Sequence, residues 1–135
     1  MKWDTSFALG IDVIDQQHRK IFEHLLALEN SVAKRDPWHI LHFFMTQLAE
    51  YMKFHLAVED ALLEIIGYPD RGDHSASHAR LLEQLETLES ELKRNAVGGS
   101  LVLFFEDWFV RHVLAGDRGY AAYVKREMPA LMARR

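Results

Sequence analysis

The sequence predicts an all-α protein: an up-down-up-down four-helix bundle with an N-terminal arm and a short C-terminal helix. Along four segments, apolar residues recur at alternating steps of three and four, which is the spacing of one helix face. Short stretches that contain glycine or proline separate these segments. No segment shows the strict alternation that is typical of a half-buried strand. Amphipathic helices joined by short turns form bundles of this kind.

Length and composition limit the classes of protein. The chain of 135 residues is expected to form a single domain, 1–135. Its net charge of −4, with acidic and basic residues interspersed, argues against nucleic-acid binding. No apolar run approaches the length of a membrane span, and the N-terminus has no signal-peptide core. The absence of cysteine fits a reducing compartment, so we expect a cytoplasmic protein.

The first predicted helix has an apolar face that a histidine interrupts. An arm carrying Trp3 and Phe7 precedes this helix, and we expect both aromatic side chains to pack on the bundle. The predicted face comprises Ile11, Ile14, His18, Ile21, Leu25, Leu28 and Val32.

The second predicted helix places a histidine and a carboxylate on its buried face. Asp36 is expected to cap this helix with Pro37 at the first helical position, and Gly67 is expected to end it. His55 and Glu59, four residues apart, lie one above the other on a helix. The predicted face comprises Leu41, Phe44, Leu48, Tyr51, His55, Glu59, Leu62 and Ile66.

The third and fourth predicted helices carry further histidines. His74 and His78 are again four residues apart, so their side chains share one face. Asn95 and the glycines at 98–99 are expected to end the third helix, and Ser100 is expected to cap the fourth. The predicted faces comprise His74, His78, Leu81, Leu85, Leu88 and Leu92, then Leu101, Phe105, Trp108 and His112.

Asp117 is out of phase with a regular fourth helix. Five residues at about 100° each place it about 140° from His112. If both side chains reach one site, the backbone near 113–116 must widen into a π-type turn, bulge or end. Turns of the π type are enriched at functional sites. The last segment, 118–133, is expected to form a short fifth helix or a tail.

Polar residues on the buried faces indicate a metal site. A buried carboxylate such as Glu59 costs several kcal/mol unless it is paired or bound to a metal. One buried histidine is more often a hydrogen-bonded core residue, but here all four faces carry histidine. We expect the other three histidines to lie on the surface or at helix ends: His24, His39 and His42. The candidate ligands are His18, His55, Glu59, His74, His78, His112 and Asp117.

The residue types favour a pair of iron ions. Structural zinc takes four ligands and often cysteine, whereas calcium and magnesium prefer oxygen. Imidazole suits iron, and mixed histidine and carboxylate sites with an open position bind O₂ at non-haem iron. If both carboxylates and one oxygen bridge two six-coordinate irons, five histidines leave one position vacant. The expected cofactor is two iron ions (Fe²⁺/Fe³⁺) with a bridging oxo or hydroxo group.

At these residues the chain resembles the hemerythrin family, in particular its single-domain bacterial members. The similarity covers nearly the whole chain, and myohemerythrin is a known example of the bundle described above. The motifs that carry the resemblance are GIDVIDQQH ending at His18, His55-x-x-x-Glu59, Tyr68-Pro69, His74-x-x-x-His78, and Trp108-x-x-x-His112 followed by Asp117 and Tyr120.

The resemblance implies a function and a role for each candidate ligand. It implies reversible, non-catalytic O₂ binding for storage, delivery or sensing, with Trp108 and Leu114 lining the O₂ pocket. A reductase or an O₂-using enzyme is the expected partner, and a monomer or weak oligomer the expected state. Departures from the family pattern at Leu56, Asp60 and Leu63 bear on O₂ affinity and autoxidation. The implied ligands are His74, His78 and His112 on one iron, His18 and His55 on the other, and Glu59 and Asp117 as bridges.

Two other interpretations stay open. In the first interpretation, the protein is a di-iron enzyme that acts as an oxidase or peroxidase, or that scavenges nitric oxide or peroxide. Ferritin-like enzymes of that kind use Glu-x-x-His motifs, and this sequence contains none. The second is a metal-free helical interaction module, which would leave Glu59 buried without compensation.

Overall fold

The structure is a computed structural model that describes residues 2–94 and 98–132, with the side chains at 92–101 and 113–115 outside that description. All the regular secondary structure in the described residues is helical, with no strand, which confirms the predicted all-α fold class. A π-helical segment, His112–Asp117, follows the fourth helix, and short 3₁₀ turns lie at Thr5–Phe7 and Pro129–Leu131. The helices are α1 (Asp12–Ala33), α2 (Trp38–Ile66), α3 (Arg71–Arg94), α4 (Gly98–Arg111) and α5 (Arg118–Glu127).

The packing of neighbouring helices surrounds one polar layer. Helix α1 packs against α2 and α4, and α2 also packs against α3. On α1, His18 lies between Ile14 and Ile21, which belong to two separate apolar clusters. The candidate ligands therefore lie between two apolar regions. Helix directions alternating strictly up and down stay a prediction. Within the described residues, no helix combines the length and the apolar character that a membrane span requires.

The N-terminal arm packs on the bundle as expected. Phe7 is buried, and its ring meets the ring of Phe109 at a centroid distance of 5.1 Å. The ring of Trp3 lies 5.4 Å from that of Phe7. The carboxylate of Asp15 accepts hydrogen bonds from the backbone N–H groups of Leu9 (2.7 Å) and Gly10 (3.0 Å). The arm is thereby fixed to the first turn of α1, close to His18.

The start of α2 differs from the prediction by one residue. Pro37 is the N-cap with extended backbone, and Trp38 is the first helical residue. Asp36 does not cap the helix, because its carboxylate accepts a hydrogen bond from the hydroxyl of Ser31 at 2.8 Å. The end of α2 matches the prediction, since Gly67 adopts a left-handed conformation with φ +66°.

The buried face of α2 is wider than predicted and partly displaced. Phe44, Tyr51 and Leu62 are only half-buried. The physical reason is that α2 contacts both α1 and α3, so a broad arc of the helix is covered rather than one narrow line. Buried α2 residues that the predicted face missed are Met45, Ala49, Met52, Leu56 and Leu63.

The later helices bury most of the predicted positions that can be described. Leu81, Leu85, Phe105 and Trp108 are buried, and Leu88 is half-buried. The predicted boundary between the third and fourth helices is wrong, because α3 ends at Arg94 and α4 begins at Gly98, so the glycines at 98–99 and Ser100 belong to α4. Asn95 and the side chains of Leu92, Ser100 and Leu101 lie outside the described part of the chain. The predicted fifth helix is present as α5, which buries Tyr120, Ala121 and Val124 against the bundle.

Candidate metal centre

The structure brings all seven candidate ligands together inside the bundle. His18, His55, Glu59 and Asp117 have no solvent exposure, and His78 and His112 are also buried. The side chain of His74 is 8% exposed. These residues come from α1, α2, α3 and the π-helical segment, and they are separated by up to 99 positions in sequence.

Glu59 lies at the centre of the cluster. Its Oε1 is 2.6 Å from Nε2 of His74 and 3.3 Å from Nε2 of His78. Its Oε2 is 2.7 Å from Nε2 of His55 and 3.2 Å from Nε2 of His112. Each oxygen of this one carboxylate therefore faces two imidazole nitrogens, and the four histidines come from α2, α3 and the π-helical segment.

Asp117 is a second carboxylate shared among the histidines. Its Oδ2 is 2.7 Å from Nε2 of His112 and 2.9 Å from Nε2 of His18. Its Oδ1 lies 3.2 Å from Nε2 of His74. Both carboxylates thus contact histidines on opposite sides of the cluster, as bridging ligands between two cations would.

The π-helical segment explains how Asp117 reaches this position. A regular α-helix would turn Asp117 away from His112, whereas a π-helical turn contains more residues and brings positions five apart together. The segment covers His112–Asp117, where the spacing of the two residues required a break. Local irregularity here serves the convergence of two side chains.

The ligand atoms fall into two groups that share both carboxylates. His18, His55, Glu59, His112 and Asp117 have potential ligand atoms within 4.8 Å of one another, and so do Glu59, His74, His78 and Asp117. The shared pair suits two cations held side by side.

His112 lies at the boundary between these two groups. Its ligand atom belongs to the group that contains His18 and His55, whereas the family resemblance implied that His112 binds the same iron as His74 and His78. Its ring centroid is 5.3 Å from that of His55 and 5.4 Å from that of His78. The division of the histidines between two irons stays a prediction.

Two further residues orient the histidine rings: Gln17, which the sequence reasoning missed, and Asp60, which it named only as a departure from the family pattern. Nδ1 of His55 is 2.8 Å from Oε1 of Gln17, and Nδ1 of His78 is 2.9 Å from Oδ1 of Asp60. Because both partner oxygens are acceptors, the two Nδ1 atoms carry the proton and donate. Gln17 is a buried polar residue on α1, and it lies outside the helix face that the sequence predicted.

The orientation of His55 tests whether a metal fits. With Nδ1–H donating to Gln17, neutral His55 directs the lone pair of Nε2 toward the Glu59 oxygen 2.7 Å away. Two lone pairs at this distance repel each other unless a proton or a metal cation lies between them. Burial lowers the pKa of His55, which disfavours the additional proton. A cation resolves the conflict, so the residues fit a metal.

His78 shows the same arrangement. Its Nδ1–H donates to Asp60, and its Nε2 is buried with no hydrogen bond to the described residues. A buried imidazole lone pair facing the Glu59 oxygen at 3.3 Å again has the chemistry of a metal ligand. Each of the two ligand groups therefore contains a histidine whose Nε2 lone pair faces the shared carboxylate, and Nε2 of His55 also lies 3.1 Å from Nε2 of His112.

Without metal, the carboxylates and two histidines hold each other in charged form. Burial opposes ionisation of Glu59 and Asp117, but the charge of His112 and hydrogen bonds from the histidines lower the pKa of both acids, that of Glu59 strongly. Burial also opposes protonation of His74 and His112. The adjacent carboxylates outweigh it and raise the pKa to about 9 for His74 and about 10 for His112. Protons therefore occupy positions for which metal ions would compete.

Aromatic residues enclose the cluster. The Trp108 ring stacks on His112 with a centroid distance of 4.9 Å and an interplanar angle of 14°. Together with His78, His112 and Leu81, it lines a pocket of about 350 Å³. The side chain of Leu114, the other predicted pocket residue, lies outside the described part of the chain. Tyr120 is fully buried 5.5 Å from the His74 ring, and burial beside the two acids raises its pKa well above 10.

The three remaining histidines lie apart from the two ligand groups. His24 is half-buried with its ring 5.5 Å from that of Tyr51. His42 stacks on Trp38 near the start of α2. His39 is exposed. None of the three belongs to either group of potential metal ligands.

Comparisons with known proteins agree with the geometry. The family described as Hemerythrin HHE cation binding domain matches residues 9–124. A protein named Bacteriohemerythrin from Clostridium acetobutylicum is 32% identical over 127 residues, covering 87% of this chain and 96% of its own. Another Bacteriohemerythrin, from Stenotrophomonas maltophilia, is 27% identical over 93% of this chain and 82% of its own. A Hemerythrin-like protein from Naegleria gruberi is 23% identical, covering 87% of this chain and 88% of its own. The match and the cluster together indicate a non-haem di-iron site.

Proposed function

This chain belongs to the hemerythrin family, and from that premise we propose that it binds O₂ reversibly at its di-iron centre, without catalysis. The proposed role is storage, delivery or sensing of O₂ in the cytoplasm. The irons supply reversible O₂ binding when they are present. A reductase or an O₂-using enzyme is the proposed partner, with the protein itself a monomer or weak oligomer.

The observation that carries this proposal is the arrangement of histidines around two shared carboxylates. Five imidazole Nε2 atoms approach the oxygens of Glu59 and Asp117 within 3.3 Å. Mixed histidine and carboxylate sites with an open position bind O₂ at non-haem iron, and the Glu-x-x-His motifs of ferritin-like enzymes do not occur in this sequence. We propose that all seven residues are ligands, with His74, His78 and His112 on one iron, His18 and His55 on the other, and Glu59 and Asp117 bridging.

The chain itself would protect the bound gas from solvent. Apolar clusters lie on both sides of the ligand layer, so water has little access to it. The flat ring of Trp108 covers His112 and borders the adjacent pocket, which supports a role in shaping the space for O₂. Leu114 is proposed as a second pocket residue from the family resemblance alone. Exclusion of water suppresses proton transfer that would release reduced oxygen species.

Two measurements test the proposal. Elemental analysis of the purified protein should give two irons per chain. The reduced protein should develop a visible ligand-to-metal absorption band in air, and this band should disappear under argon. A stable single zinc ion would overturn the di-iron proposal. A band that forms once and decays with product release would favour a di-iron oxidase or peroxidase over an O₂ carrier, and the same assay with nitric oxide or peroxide would test the scavenger alternative.

A further inference from the structure

The two ligand groups have unequal hydrogen-bond partners. In one group, His55 donates its Nδ1–H to Gln17, a neutral amide. In the other, His78 donates its Nδ1–H to Asp60, a carboxylate. The two distances are nearly equal, 2.8 Å and 2.9 Å, so the groups differ in the charge of the acceptor rather than in geometry.

The charge of the acceptor alters the imidazole as a ligand. A carboxylate that accepts the Nδ1–H pulls on this proton and makes the opposite nitrogen, Nε2, more basic. A more basic nitrogen binds a metal more tightly and favours the higher positive charge. A neutral amide fixes the ring in the same orientation but gives a weaker electrostatic effect. His78 is therefore the more electron-rich ligand of the two.

We propose that Asp60 and Gln17 are positioning residues that make the two irons electronically unequal, with the iron at His78 held more strongly in the ferric state. This inference rests on the di-iron site proposed above and goes beyond it, because it adds to the unequal numbers of histidines a difference that comes from two residues that are not ligands. Each acts only through the histidine that it contacts.

The surroundings of Asp60 support this role and provide a matched control. The side chain of Asp60 is 37% exposed and lines a pocket of about 520 Å³ with Glu64, Arg71 and Ser75. Glu64 lies one helical turn later and is paired with Arg71 at 3.1 Å. Glu64 thus carries the same charge at the same pocket, and it pairs with Arg71 rather than with a ligand histidine.

The decisive experiment compares Asp60→Asn with Glu64→Gln in iron-loaded protein. Asparagine keeps the shape and an acceptor oxygen but removes the charge. We expect about a tenfold loss of metal affinity in Asp60→Asn. If the loss falls on the ferric ion, the reduction potential of one iron rises by about 59 mV per tenfold. Glu64→Gln should leave both reduction potentials unchanged. Asp60→Glu keeps the negative charge, so its metal affinity and reduction potentials should stay close to those of the wild-type protein. The readouts are a spectroelectrochemical titration and Zn²⁺ affinity by chelator competition.

The reverse change at the other group provides an independent test. Gln17→Glu places a carboxylate behind His55 and should lower the potential of the second iron, which makes the two irons more alike. Unchanged potentials in both Asp60→Asn and Gln17→Glu would overturn the inference, as would equal shifts in Asp60→Asn and Glu64→Gln. If Asp60→Asn did not fold, Gln17→Glu alone would decide. Failure of the wild-type protein to bind two irons would instead overturn the proposed function.

Discussion

Nε2 of His112 lies 2.7 Å from Oδ2 of Asp117 across a π-helical segment that spans both residues. The pair links α4 to α5 and joins the two ligand groups, because Asp117 also contacts His18 and His74. Removal of one partner would leave the other buried without its charge partner, which is costly.

The first prediction concerns this pair. Asp117→Asn should reduce the bound iron below two per chain, because an amide is a poor bridging ligand. In the metal-free protein, the pKa of His112 should fall from about 10, since the adjacent negative charge is the main cause that raises it. Iron analysis and an NMR titration of His112 would measure the two effects. Asp107→Asn removes an exposed acid that is paired with Arg111 and should change neither. Full iron content in Asp117→Asn would contradict the role of Asp117 as a ligand.

The second prediction concerns the pH dependence of stability in the metal-free protein. In the folded state the pKa values of His74 and His112 rise from 6.5 to about 9 and about 10, so their stabilising effect is complete below pH 6.5 and is lost as the pH rises through 9–10. The lowered pKa values of Glu59 and Asp117 give stability above pH 4.5 that is lost in acid. Burial lowers the pKa of His55, which removes stability as the pH falls below 6.5, so stability should be greatest near pH 6.5.

Bound iron should oppose the loss of folding stability that the metal-free protein shows at high pH. Metal binding requires neutral histidines, so protons compete with iron and the loaded protein should gain stability relative to the metal-free protein as the pH rises. Urea unfolding with and without iron, at about pH 5.5, 7 and 9, would measure both curves. Parallel curves would show that protons and metal do not share these positions.

The third prediction separates two glycines near the turn between α2 and α3. Gly67→Ala should destabilise the protein by about 1–2 kcal/mol, because an L side chain is strained at φ +66° although space is available. Gly72→Ala lies inside α3, where the new Cβ meets nothing within 4 Å, and should stabilise by up to about 1 kcal/mol. Both variants should keep two irons. Urea unfolding measures the changes, and similar effects of the same sign would contradict the conformational explanation.

The fourth prediction concerns Trp108. Trp108→Phe should cost less than Trp108→Ala, because a ring remains to stack on His112 and the buried Nε1–H has no hydrogen-bond partner among the described residues. Trp108→Ala should cost about 3–5 kcal/mol and speed autoxidation of the O₂-loaded protein, since it opens the space beside His112. Unfolding and the decay of the visible band measure the two effects. Equal autoxidation rates in the two variants would contradict the prediction that Trp108 lines the O₂ pocket.

The local pattern of the chain was sufficient to predict the helices and the residues that the cluster contains. A histidine on each buried face, and the carboxylate Glu59 among apolar neighbours, are visible because helical periodicity is a property of consecutive residues. The phase mismatch between His112 and Asp117 likewise predicted an irregular backbone, and the π-helical segment is present.

Tertiary packing decided the features that depend on contacts between helices. The half-buried state of Phe44 and Tyr51 follows from how α2 sits between α1 and α3, which periodicity along α2 does not determine. The partners of His55 and His78 are Gln17 and Asp60, which lie 38 and 18 positions away. Helical spacing specifies which side chains share a face, but hydrogen bonds between helices also depend on the relative rotation and axial shift of the helices. The unequal environments of the two ligand groups therefore become visible only in the folded protein.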